Sequence, residues 1–321
     1  MLESRQGYAL EERARPGSLR AGGDLLLSAG KDLTLLGVAG QGRNLGFWAG
    51  GDLSILALTQ TQARGEGHVT QLVGNGAVVL REQGWSQEST QVIGSAFTGG
   101  SLELRSGEDM RIAGSRIVVA GAGRIEAGGS LAIGAVQEVE LERSASRTLW
   151  QESARMESAT RNIVSDIVVG GNLGIAAGGD MTLDGGRLEA GKALVLEAGG
   201  DVNLLARQDF RIWSGAGGEE GSSAVVESWL RSGGELSVRS GGDVLVAGAN
   251  LDAGRDLEVA AGGDLTNLGG SFTGDDLRLR AKGSVFDVNG KAEGRGDVRV
   301  GAGKNLALHT EGEGERLRYR A

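Results

Sequence analysis

The phrase Gly-Gly-Asp recurs at Gly50-Gly51-Asp52, Gly178-Gly179-Asp180, Gly199-Gly200-Asp201, Gly241-Gly242-Asp243 and Gly262-Gly263-Asp264. Carboxylates set beside glycine carbonyls invite a calcium reading. Calcium-binding β-helix repeats, however, need Gly-Gly-x-Gly-x-Asp, which spaces oxygens around the ion. Here Asp follows the Gly pair directly, and the plainer reading is a turn-capping carboxylate. Asp24, Asp32, Asp52, Asp180, Asp201, Asp243, Asp256 and Asp264 take that structural corner role. Gly40-Gln41-Gly42-Arg43-Asn44-Leu45-Gly46 approaches a phosphate-loop spacing but lacks the strand-loop-helix context. His68 and His309 are the only histidines, lie in different repeat phases, and have no Cys to join them in a metal or triad set. Acidic pairs at Glu11-Glu12, Glu108-Asp109, Glu219-Glu220 and Asp275-Asp276 share no phase, whereas a glycosidase needs two unlike carboxylates flanking one bond. No catalytic, metal or cofactor residue is assigned. Four of the five tryptophans, Trp85, Trp150, Trp213 and Trp229, fall in segments that break the repeat. They are candidate partner-binding anchors, or else they pack flat and hold those segments down.

What positions these residues is the repeat itself. Small-small-Asp-Leu-x-Leu appears at Gly22-Gly23-Asp24-Leu25-Leu26-Leu27 and again from Gly30, and the Asp slot advances by alternating steps of 8 and 13, closing a cycle of 21 residues. Glu235, Asp243, Asp256 and Asp264 follow the same rhythm. Each cycle carries two apolar-x-apolar segments, too short for helices and alternating as strands do. Glycine at the corners permits positive φ. A strand-corner cycle of this length winds into a β-helix whose Leu, Ile and Val columns form one core, stable only as a stack.

Composition agrees with that reading. The 321-residue chain has 59 Gly but one Pro, 40% hydrophobic and 4% aromatic residues, and a formal net charge of −9. The acidic balance argues against nucleic-acid partners. Cys is absent, which excludes a disulfide scaffold and suits a chain crossing an oxidising periplasm unfolded. No run of 18 apolar residues suggests a transmembrane segment, and Met1 to Gly22 lacks the apolar core of a signal peptide.

Three interruptions, near 56–98, 136–169 and 205–232, are rich in Gln, Ser, Thr, Glu and Arg. The last regular markers before them, Asp52, Ser130 and Asp201, are 78 and 71 residues apart, a superrepeat of roughly 75 residues laid over the coil. Alternation such as Glu138-Val139-Glu140-Leu141-Glu142 predicts β-hairpins extruded from the solenoid; the second interruption could instead hold a helix from Leu149 to Ala159. The expected organisation is a flank over 1–20, one solenoid over 21–310, and the start of a further interruption over 311–321. On this reading the chain is a piece of a longer array.

The Ala-Gly-Gly-Asp-Leu-x-Leu phrase, clearest at 21–27, 49–55, 177–183, 198–204 and 261–265, resembles the filamentous-haemagglutinin repeats of two-partner-secreted exoproteins. The Ser/Gln/Glu-rich interruptions look like the longer repeat class of contact-dependent inhibition exoproteins. The resemblance covers nearly all of 20–310 and implies a right-handed parallel β-helix fibre. It also implies export through an outer-membrane partner transporter, display on a Gram-negative surface, and adhesion or toxin delivery to a cell-surface receptor or glycan. No secretion domain or toxin module is recognisable. The expected function is a non-catalytic shaft and spacer; the alternative is a β-helix lyase or hydrolase acting on extracellular polysaccharide.

Overall fold

The computed structural model describes residues 2–74, 77–148, 151–216 and 218–309. The described chain is all strand and turn, a parallel β-helix with three ten-stranded parallel sheets. Each coil contributes one strand to each sheet, as in Ala249–Ala253, Leu257–Ala261 and Leu265–Leu268, before Ser271–Gly274 opens the next coil. The apolar-x-apolar pattern predicts two strands per coil, and the structure has three. In most coils the additional strand escapes that pattern because it buries one large residue between small or polar ones, as with Leu251 between Ala249 and Ala253 or Phe272 between Ser271 and Thr273; Arg116–Val119 and Ser165–Val169 bury two.

Stacking is in register. Leu236, Leu257 and Leu277 are successive rungs of one column, and Leu204, Val246 and Leu183 belong to another. The inward residues form one continuous core, with Leu257, Val259 and Leu265 almost wholly buried. Phe47 and Phe97 meet edge to face at 5.0 Å in that core.

The Gly-Gly-Asp corner works differently from the sequence expectation. None of its glycines takes a positive φ. The left-handed positions lie instead at Gly37, Gly114, Gly185, Gly248, Gly269 and Asn289, where the third sheet turns back to the first. The Gly-Gly pairs are required by close approach. A Cβ on Gly199, Gly241 or Gly262 would stand closer than 3.0 Å to the carbonyl oxygen of the glycine one coil below. A Cβ on the second glycine, Gly242 or Gly263, would meet the carboxylate of Asp201 or Asp243. Those carboxylates form a ladder. The amide of Asp52 donates to Asp32 Oδ1 (3.0 Å), Asp201 to Asp180 (2.9 Å), Asp243 to Asp201 (2.8 Å) and Asp264 to Asp243 (2.7 Å). Ser284, where the repeat loses its Asp, still donates its amide to Asp264 (2.6 Å). Asp256 belongs to the neighbouring corner column, where Asp276 accepts the amide of Asp297 (3.0 Å). There Asp24 Oδ1 accepts from Arg43 (3.1 Å) and Asn44 (2.8 Å), and the hydrogen bond from Arg43 holds Asp24 below the usual carboxylate range.

The interruptions are hairpins: Leu58–Gly74 with Ala77–Ile93, Val136–Arg147 with Glu152–Ile163, and Arg207–Gly215 with Gly218–Val226. Within 149–159 the chain is strand from Glu152 onward, and none of its described residues is helical. Strands Ser165–Val169 and Ser228–Ser232 belong to the first shaft sheet, so the second and third hairpins end at Ile163 and Val226. Of the N-terminal residues, Gly17–Arg20 is the first shaft strand and Leu2–Glu11 pairs antiparallel with Leu58–Gly74.

Candidate interaction surface

Every hairpin leaves the helix at one corner, between the third and first sheets. At that corner the adjoining coils turn on a single left-handed glycine, as at Gly37, Gly114 and Gly185. A hairpin therefore replaces one residue. Its neck is closed by a buried serine that sequence reading passed over. Ser95, Ser165 and Ser228 donate their hydroxyls to the carbonyls of Leu56 (2.8 Å), Gly134 (2.6 Å) and Leu205 (2.6 Å), the last groups before each hairpin. Their only sequence signal is a serine at or just before the start of a first-sheet strand, directly after a long polar stretch.

The hairpins are not separate ornaments. They pair edge to edge, Ala77–Ile93 with Val136–Arg147 and Glu152–Ile163 with Arg207–Gly215. With Leu2–Glu11 they form one seven-stranded antiparallel sheet, a fin running along the shaft. The geometry is commensurate. Hairpins leave every second coil, two coils rise about 9.6 Å, and two antiparallel strands are about 9.6 Å wide.

Register fixes what each face of the fin carries. One face bears Arg64, Trp85, Gln87, Glu140, Glu157, Arg211 and Trp213. It is laced with polar contacts: Arg64 donates to Gln87, Gln87 to Glu140 (3.2 Å), and Arg211 to Glu157 (2.9 Å through Nε). The hydrogen bond from Arg211 holds Glu157 below the usual carboxylate range. Arg64 lies over the Trp85 ring at 5.7 Å and Arg211 over Trp213 at 5.3 Å. Trp85 remains 41% exposed. Beside it a groove of about 630 Å³ is bounded by Arg5, His68, Trp85 and Arg155 over a floor of Ser144, Ser146 and Ser153.

Of the other tryptophans, Trp229 is placed on shaft strand Ser228–Ser232, facing outward and 39% exposed. Trp150 lies outside the described residues. His309 ends the last described strand, on the shaft, far along the sequence from the fin residue His68. Glu219 and Glu220 are successive residues of one strand and point to opposite faces. The Gly40–Gly46 stretch runs from a first-sheet strand into a second-sheet strand, and Gly40 makes room for the Phe97 ring. Among the described residues no cluster of three or more His, Cys, Asp or Glu side chains is placed to hold a metal ion.

A hemagglutinin-repeat family model matches residues 11–149, 148–215 and 212–268. The chain is 27% identical over 311 residues to the 16S rRNA endonuclease CdiA of Enterobacter cloacae, an alignment covering 85% of this chain and 9% of that protein. It is 27% identical over 231 residues to the tRNA nuclease CdiA-2 of Burkholderia pseudomallei, covering 68% of this chain and 7% of that one. The tRNA nuclease CdiA of Escherichia coli matches at 24% over 206 residues, 61% of this chain and 6% of its own length. The matched stretch is thus under a tenth of each of these three proteins. No solved structure matches the chain. With the repeat model spanning most of its length, this parallel β-helix belongs to the hemagglutinin-repeat family.

Proposed function

We propose that the chain is a non-catalytic shaft segment of a secreted exoprotein displayed on a Gram-negative cell, an adhesin or a carrier that delivers a toxin. It acts as a rigid spacer and presents the fin as its attachment surface, with Trp85 and Trp213 as anchors toward a receptor or glycan. Export through an outer-membrane transporter of a two-partner system fits the family and the cysteine-free composition. The single observation that carries the reading is the unbroken core. Ten coils of inward Leu, Ile, Val and Ala commit the shaft to packing along its length. Ten coils at about 4.8 Å make a rod of about 48 Å. The polysaccharide-active alternative draws no support from the family or from the relatives.

The test is binding of the purified chain to Gram-negative cells, compared with a variant in which 135–164 are replaced by one glycine. Neighbouring coils already make that corner with Gly114 and Gly185. The expected result is an unchanged β spectrum with binding lost. Retained binding would remove the fin from the role, and turnover of a polysaccharide panel by the parent chain would overturn the non-catalytic reading.

A further inference from the structure

The face of the fin opposite Trp85 carries most of its exposed large apolar side chains. The cross-strand register puts Tyr8, Leu10, Val69, Val139, Leu141, Met156, Phe210, Ile212 and Val225 on that one face. Tyr8 is 59% exposed, Leu10 55%, Phe210 43% and Val225 58%. Nothing in the described chain covers them. The fin is a single layer, whereas a sheet with one apolar face is stable when that face packs against a second layer. A shallow groove of about 480 Å³, lined by Tyr8, Arg143 and Met156, already indents this face.

We propose that this face is an interface between two copies of the chain, whose fins pack face to face as a two-sheet sandwich. Area favours it. Seven strands about 4.8 Å apart and some nine residues long, at about 3.3 Å each, give a face on the order of 1,000 Å². A standard interface needs roughly 800 Å² per partner. Shape favours a copy over an unrelated surface, because the best match to a twisted apolar sheet is another sheet of the same twist. Charge is compatible as well: the face carries both signs, Arg143 and Arg147 against Glu82, Glu88 and Glu152, and a two-fold arrangement of identical faces can set them opposite one another. In the sandwich the ion-paired face with Trp85 and Trp213 remains outside.

The experiment measures the mass of the intact chain in solution by light scattering at micromolar concentration. The expected mass is twice that of one chain, falling twofold to the monomer in a Phe210→Glu/Ile212→Glu variant whose circular dichroism is unchanged. Trp85→Glu, on the other face, should stay dimeric. Because the chain has no cysteine, Leu141→Cys on the central strand of the fin supplies a second reading. It should cross-link with a bifunctional maleimide, and Glu142→Cys, facing the other way, should not. A parent that stays monomeric with an intact β spectrum would overturn the proposal, whatever else binds the face. So would equal cross-linking from both cysteines.

Discussion

Substitutions at Gly262 and Gly263 should behave differently although the two residues are adjacent and chemically identical. An alanine at 262 puts its Cβ against the backbone carbonyl of Gly241, and backbone cannot move aside without separating two coils. Overpacking of that kind belongs at the upper end of the usual range, about 3 kcal/mol. An alanine at 263 meets chiefly the Asp243 carboxylate, with the Gly242 backbone carbon next at 3.3 Å. That side chain can rotate away, giving up the amide of Asp264 that it holds at 2.7 Å. The site is exposed and water replaces the lost bond, so the cost is about 1 kcal/mol. Asp243→Ala alone should cost about the same for the same reason. The double variant Asp243→Ala/Gly263→Ala should then cost about 1 kcal/mol rather than the sum, a coupling of about 1 kcal/mol. No substitution at Asp243 should rescue Gly262→Ala. Urea unfolding followed by circular dichroism gives the four free energies, and hydrogen exchange over 236–288 shows whether the damage is local. Strict additivity in the 243/263 pair, or a Gly262→Ala variant as stable as the parent, would refute the close-approach account of the repeat.

Leu257→Asp places an unpaired charge between Leu236 and Leu277 in the core column, costing on the order of 3–5 kcal/mol; exchange protection should fall in the adjoining coils as well, and a parent-like melt would contradict the inward assignment. Ser165→Ala removes one of two donors to the Gly134 carbonyl, which keeps the Gly114 amide (3.0 Å), and takes the hydroxyl acceptor from the buried Ser115 amide (3.4 Å), a loss of about 1–3 kcal/mol, measured as faster exchange across 131–169. The carboxyl of Glu157 titrates lower in the folded chain than in the unfolded one, so its contribution is present above the usual carboxylate pKa and is lost as pH falls through the folded value. Exchange between Glu152–Ile163 and Arg207–Gly215 should therefore speed up on acidification toward pH 3 at matched intrinsic rates, and not between pH 7 and pH 9.

Much of the shaft is legible from spacing alone. A strand side chain has a period of two, so Leu257 and Val259 face one way and Glu258 the other, and a 21-residue cycle makes that true coil after coil. The hairpins are legible for the same reason, since Glu138 to Glu142 alternates without regard to its neighbours. The reason for the Gly-Gly-Asp phrase is not: a glycine required by a carbonyl one coil below looks the same in sequence as one required by its own backbone angle, and only the stacking distance distinguishes them. Most first-sheet strands were hidden because one buried Leu251 or Phe272 between small or polar residues makes no pattern. The fin lay furthest from view. Pairing of Ala77–Ile93 with Val136–Arg147 depends on hairpin width equalling the rise of two coils, a coincidence of three-dimensional spacings that no local window contains. That pairing also decides which face Phe210 and Val225 share with Tyr8, because residues some 200 positions apart acquire a common side only through the intervening strands.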